Sequence, residues 1–413
     1  MTSSGGSGIA RDGGSTATAA RLTPPSPLAP RSRPSSPSGA EYGAVLTPAE
    51  LAQPRLPEPR GALSEFLLDR LRRAPGAAGL GPAPGADDDV LYGEDGPLSL
   101  YCLYGLHYRG FAEVDDDWEW EPSLLAVRRR LEMDLLARLR AEADAAAAGD
   151  DGAAGDDGAA GHDGVAGHEG VAGDDGAAGD VAAALREVIA RAGGRSLSRR
   201  LATTGTLEEF REYAMHRSLL QLIEADPHTW AIPRLTGAPK AALVEIQADE
   251  YGHGVERDMH QNLFAVTMRA LDLDARPGAY LNRLPGPAFA TVNVPSLFGL
   301  HRRLRGALVG HLALFEMTSV EPMGAYAAAL RRLGLAAGAR HFFEVHVVAD
   351  AHHQTVAARD LAAALVAQDP ALAVDVVFGA RATTVVEGRC AEAILTAWDE
   401  GRSSLRGAPP APR

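Results

Sequence analysis

The stretch His346-Val-Val-Ala-Asp350-Ala-His352-His353 lies inside a helical pattern that begins near Ala337 and runs to about Val366. At roughly 3.6 residues per turn, His346, Asp350 and His353 stand four and three residues apart and leave one helix face within about 40° of one another. A helix that merely packed would be apolar along that stripe. Three ionisable groups in a core are costly unless something pairs with them. A metal ion is one such partner; a solvated polar face is the competing reading, and the rest of the chain has to decide between them.

The chain has 413 residues, 46% of them hydrophobic, which is enough for one large or two modest domains with a substantial core. Its formal charge is −14, yet nine of the acids lie between Asp150 and Asp180, a stretch without Lys or Arg, and without them the charge is −5. No Lys/Arg-rich block interleaved with aromatics occurs, so no nucleic-acid partner is expected. Cys102 and Cys390 are too few and too far apart for a disulfide framework or an iron–sulfur site. The Gly/Ser/Thr/Pro-rich start has no apolar leader, and there is no apolar run of about eighteen residues, so the expectation is a cytoplasmic protein without a membrane partner.

Residues 1–60 have the composition of a disordered arm, including Pro24-Pro25-Ser26-Pro27. An N-terminal helical region follows over 61–148, with Leu63, Phe66, Leu67 and Leu71 and later Leu124 to Leu139 at helix spacing. Between them Tyr101, Tyr104, Tyr108, Phe111, Trp118 and Trp120 cluster beside Asp115-Asp116-Asp117; such a set could line a pocket, but aromatics more often fill cores. Residues 149–180 contain an acidic hexapeptide repeat of the type Gly-Asp-Asp-Gly-Ala-Ala, read as a disordered insertion; its His162 and His168 are poor catalytic candidates.

Helical patterning returns at Val181 and continues to about 405, with 406–413 as a tail. The expected helices are Leu207 to Glu224, Gly237 to Leu271 weakened by Gly252 and Gly254, Ser296 to Val320, Ala325 to Leu333, Ala337 to Val366 and Ala380 to Asp399, with Pro285-Gly286-Pro287 in a loop. No strand pattern competes, and the class is all-α. A helical bundle that binds two transition metals needs carboxylates and imidazoles projecting inward from several helices. Besides the opening stripe, the candidates are Glu224, Glu245, Glu250, His253, His260, His311 and Glu316. Glu316 stands out because its surroundings are largely apolar, so it is either protonated or met by a cation.

Four segments in order, Val244-Glu-Ile-Gln-Ala-Asp-Glu-Tyr-Gly-His-Gly, Met259-His-Gln-Asn-Leu-Phe, Gly310-His-Leu-Ala-Leu-Phe-Glu-Met-Thr-Ser and the opening stretch, resemble the iron-containing redox enzymes with a haem-oxygenase-like fold, the diiron oxidases and oxygenases. The resemblance covers roughly Leu207 to Leu405. It implies a helical bundle of about seven core helices and a ligand set of Glu224, Glu250, His260, Glu316, His346, Asp350 and His353 for two Fe(II) ions, with O2 as co-substrate. On spacing alone His253 rivals His260: Glu250 and His260 are ten residues apart, about 15 Å along a straight helix, so the helix must bend at its glycines or at a π-bulge. His352 and His311 are read as supporting or packing residues. The donor set of nitrogen and oxygen without thiolate suits iron or manganese.

The family resemblance implies oxidation of a small amine, amino acid or acyl substrate, by N-oxygenation or oxidative C–C cleavage, in natural-product biosynthesis. The electron donor is left unnamed and a homodimer is left open. Two other classes remain: a haem or tetrapyrrole-binding protein on the same fold, needing one axial His and an apolar slot, and a non-catalytic helical interaction module with no metal at all.

Overall fold

The computed structural model of the chain describes residues 45–76, 79–86, 88–148 and 176–407. The arm before residue 45, residues 149–175 of the repeat and the last six residues of the tail lie outside the described residues. Every regular element among those described is a helix and none is a strand, as the periodicity requires. No single helix among them is long and apolar enough to cross a membrane.

The N-terminal helices are α1 (Ala62–Leu71), α2 (Asp95–Gly105) and α3 (Pro122–Ala148). Helix α1 buries Leu63, Leu67, Leu68 and Leu71, and its first free N–H groups, those of Leu63 and Ser64, donate to the Asp95 carboxylate at 3.0 and 2.8 Å. An acid from the next helix thus satisfies donors that α1 cannot satisfy itself. Most of the aromatic cluster packs as core: Tyr104, Phe111 and Trp118 are buried, and Tyr101 sets its edge against Phe111 and Phe289, with ring centroids 6.4 and 5.4 Å away, whereas Trp120 is exposed beside His107. These helices share one apolar core with the C-terminal bundle. Residues 45–60, placed within the arm by composition, also lie against the bundle. Glu50 is buried beside Arg269 at 2.8 Å, the Glu58 N–H donates to Asn282 at 2.8 Å, and Arg60 pairs with Glu94 at 2.6 Å.

Helices α4 (Gly176–Arg191), α5 (Leu197–Thr203) and α6 (Leu207–Gln221) follow. Helix α6 starts on a reciprocal cap, in which Thr206 Oγ1 accepts from the Glu209 N–H at 3.1 Å and Glu209 accepts from the Thr206 N–H at 2.7 Å. After the short α7 (Asp226–Thr229), the single helix expected over Gly237 to Leu271 is two, α8 (Gly237–Glu250) and α9 (His260–Ala270). Gly252, His253 and Gly254 all have positive φ (58°, 52° and 79°), so the chain reverses at 251–259 instead of bending gently.

Helix α10 (Gly286–Leu300) corrects another expectation, since Pro285-Gly286-Pro287 starts this helix rather than forming a loop. Proline is preorganised for the first turn, where its missing N–H is no loss. The helix expected from Ser296 to Val320 is divided at His301, whose extended ψ of 112° leads through a short turn into α11 (Arg305–Thr318). Helices α12 (Val320–Arg332) and α13 (Ala337–Thr355) follow. Helix α13 continues directly into a π-helical stretch, Val356–Ala363, then α14 (Ala364–Gln368). The π distortion sits here and not near Gly252. Helix α15 (Ala373–Asp399) starts a full two turns earlier than expected.

Helices α11 and α15 make the most extensive pairing of the bundle. They approach closely because Gly310 on α11 faces the Val376 carbonyl, Gly379 on α15 faces the Ala307 carbonyl, and a Cβ at either position would overlap the facing oxygen. This crossing sets the depth at which α11 presents its C-terminal half. Gly310→Ala should therefore destabilise the chain by about 1–3 kcal/mol through overpacking. Gly388→Ala, on α15 with nothing near its missing Cβ, should be neutral or stabilising by up to ~1 kcal/mol. Thermal unfolding of the two variants checks this; equal midpoints would contradict a tight crossing.

Candidate metal centre

Helix α13 carries the centre. Its stripe of His346, Asp350 and His353 turns inward and is buried, at 4%, 2% and 0% exposure. Glu316, from α11, meets the lower part of the stripe: His353 Nδ1 lies 3.4 Å from Glu316 Oε2 and 3.6 Å from Asp350 Oδ1. The upper part meets the α8–α9 reversal and the turn after α6. His346 Nε2 lies 3.5 Å from Glu224 Oε2, and the His346 and His260 rings are 4.3 Å apart. Glu250 ends α8 and His260 begins α9, so the reversal between them brings His260 Nδ1 to 3.0 Å from Glu250 Oε2. Ten residues of chain thus separate two atoms in contact.

The seven side chains sort into two groups, Glu224, Glu250, His260 and His346, and Glu316, Asp350 and His353. Within each, the ligand atoms lie within 4.8 Å of one another, and α13 contributes to both. The contacts are short but are not aligned as hydrogen bonds. Glu224 Oε2, Glu250 Oε2, His260 Nδ1, Glu316 Oε2 and His353 Nδ1 are buried without a hydrogen-bond partner. Buried polar atoms are rarely left in this condition, and several that converge on common points have the arrangement of ligands around a cation.

Neighbouring groups fix how the imidazoles face. His346 Nδ1 donates to the Phe342 carbonyl at 2.8 Å, leaving Nε2 for the upper group. His353 Nε2 donates to Asp249 Oδ2 at 2.7 Å, leaving Nδ1 for the lower group. A ligating histidine commonly holds its other nitrogen in this way, and the partner sets tautomer and ring orientation. Ser319 Oγ donates to Asp350 Oδ2 at 2.5 Å, orienting that carboxylate too.

The electrostatics show what the cluster lacks. Burial raises the Glu250 carboxyl to about 7 and Glu316 to about 8, and it raises Glu224 as well. Burial also opposes charge on the imidazoles. It pushes His260 down to about 3, with His346 adding to the effect, whereas the surrounding acids overcome it and raise His346 to about 10 and His353 to about 12. Burial likewise opposes ionisation of Asp350, but His353, His346 and Ser319 outweigh it and hold that carboxyl below its ordinary value. Without a metal the cluster therefore keeps protons to offset its acids. Four ionised carboxylates carry −4, which two divalent cations would match, and metal binding would release those protons.

The remaining histidines divide clearly. His253 is largely exposed and pairs with Asp249 Oδ1 at 2.5 Å, away from the seven. His352 is exposed and meets Glu245 at 3.1 Å on the surface, so neither is a core packing residue. His311 is buried, 3.1 Å from His228, and stacks near Phe315. Sequence reading did not single out Asp249 or Ser319. Asp249 points about 100° around α8 from Glu250, and only the fold brings α13 to that side.

Residues 211–388, which contain all seven side chains, match the family model described as an iron-containing redox enzyme. The resemblance to the iron-containing redox enzymes drawn from the motifs is thereby borne out, and the all-α architecture agrees with a haem-oxygenase-like fold. No curated protein matches the chain.

The geometry separates the two rival histidines by experiment. His260→Ala should lower iron affinity by about 10-fold or more, as loss of a ligand or its support commonly does, whereas His253→Ala should retain the wild-type iron content. Iron quantitation after anaerobic loading decides the matter, and retention in His260→Ala together with loss in His253→Ala would contradict the placement.

Proposed function

We propose that this chain, matched to the iron-containing redox enzymes over residues 211–388, is a non-haem diiron oxidoreductase. It uses O2 to oxidise a small amine, amino acid or acyl substrate, by N-oxygenation or oxidative C–C cleavage, in a cytoplasmic biosynthetic pathway. The observation that carries the reading is the pair of adjacent ligand groups on α13, with four carboxylates and orphaned ligand atoms in a buried site. Two Fe(II) ions held there would supply the electrons for O2 reduction, and an external donor would restore them.

The chain's own residues do the rest. Glu224, Glu250, His260 and His346 hold one position and Glu316, Asp350 and His353 the other, while Asp249, Ser319 and the Phe342 carbonyl keep the ligands in the ligating orientation. Leu312, Phe315, Ile246 and Met323 form apolar parts of the cavity beside the ligands, limiting water at the reacting centre. The cavity is small, about 60 Å³, which favours a small substrate over a tetrapyrrole. A haem on one axial histidine would also leave the four carboxylates without compensation.

Anaerobic loading with Fe(II), followed by measurement of O2 consumption and the optical spectrum, tests this reading. The wild-type chain should consume O2 without a Soret band. His353→Ala should lower iron stoichiometry or O2 reactivity by about 10-fold or more. If His353→Ala kept both irons and reacted normally, α13 would not be the ligand helix.

A further inference from the structure

The cavity beside the metal ligands is lined by two chemically opposite sets of groups. One set is the acidic ligand cluster; the other includes Arg217 and Gln221 of α6, seven and three residues before Glu224. Arg217 is held from two sides. Its Nη1 donates to Glu387 Oε2 on α15 at 2.7 Å, and its Nε donates to Gln221 Oε1 at 3.0 Å. A guanidinium has five N–H donors, so three of these have no partner among the described residues. By accepting with its oxygen, Gln221 has its amide oriented, and its NH2 group is likewise without a partner among them. Gln221 is itself 2% exposed, and Arg217 only 14% over its side chain. These donors are not among the fully enclosed unpaired atoms of the protein; they border open space, where a ligand acceptor can reach them.

Among the neighbouring groups, Glu387 already pairs with one edge of the guanidinium, and the other acids lining the cavity are those of the ligand cluster. His311 and His228 line the same cavity, and burial drives both well towards the neutral form, with His228 near 4. Glu387 takes one edge of the guanidinium, and the planar fork still offers parallel donors of the kind that match a carboxylate. We infer that Arg217 and Gln221 form an anion subsite that anchors a carboxylate of the substrate in the cavity beside the metal ligands. The inference rests on the redox reading for the identity of the ligand cluster, and it narrows the substrate class to carboxylic acids oxidised several bonds from the carboxylate. From Arg217 to Gln221, the last residue of α6, the helix rises roughly 6 Å, and Glu224 lies in the turn beyond it. A neutral amine with no acidic group would leave the subsite unfilled.

Calorimetric titration of the full chain with hexanoate and with hexanamide, in metal-free and iron-loaded forms, tests the inference. Hexanoate should bind both forms and hexanamide neither. Arg217→Gln should weaken hexanoate binding by about tenfold or more, the range for a lost charge-assisted contact. Arg217→Lys keeps the charge opposite Glu387 but not the fork, and it should weaken binding less. Glu387→Gln frees a donor and should tighten it. Circular dichroism identifies any variant that fails to fold, in which case the Lys and Glu387 variants carry the test. Hexanoate binding unchanged in Arg217→Gln and Arg217→Lys, equal binding of hexanamide, or binding only in the iron-loaded form would overturn the subsite. Iron quantitation on the same samples separates the two claims. Arg217-dependent hexanoate binding without iron uptake would leave the subsite and remove the redox reading, and iron uptake with indifference to Arg217 would do the reverse.

Discussion

The structure is organised by the placement of four carboxylates and three imidazoles at the centre of a helical bundle, where all but the partly exposed Glu224 are buried. Isolated buried charges are among the most expensive features a fold can carry. Here the raised carboxyls of Glu250 and Glu316 and the raised imidazoles of His346 and His353 show the cluster trading protons to stay near neutrality. A pair of dications would remove that conflict, since the orphaned oxygen and nitrogen atoms converge within each of the two groups. Protein stability and metal affinity would then be coupled, because what binds the folded cluster also relieves it.

The backbone serves this arrangement at two points where side chains are absent or strained. Gly310 and Gly379 let α11 and α15 approach backbone to backbone, which fixes where Glu316 enters the core. The left-handed run at Gly252, His253 and Gly254 turns the chain back so that His260 returns to Glu250. His253 adopts a conformation unfavourable for a side-chain-bearing residue and is tied there by Asp249. That same carboxylate orients His353, so one acid links the reversal to the ligand helix.

Much of this was legible in the sequence, and the reasons differ by residue. The stripe on α13 could be read because helical period alone puts His346, Asp350 and His353 on one face. Glu316 was visible as an acid in an apolar run, and the ordered motifs pointed to the family whose model matches residues 211–388 and to the remaining candidate ligands. What could not be read depends on backbone geometry or distant contacts. Helix period predicted a continuous segment through 251–259, where successive positive φ values break it, and Pro285-Gly286-Pro287 looked like a loop although proline is equally suited to a helix start. Asp249 and Arg217 carry no local signal, because their roles come from α13 and α15 packing against them.

The central claim is that this chain holds two iron ions in the two ligand groups. Diffraction from crystals of the Fe(II)-loaded protein, recorded on both sides of the iron absorption edge, tests it most directly. The account predicts two anomalous peaks per chain, one among Glu224, Glu250, His260 and His346 and one among Glu316, Asp350 and His353. No peak at either position, or a single peak on an axial histidine inside a haem, would contradict it.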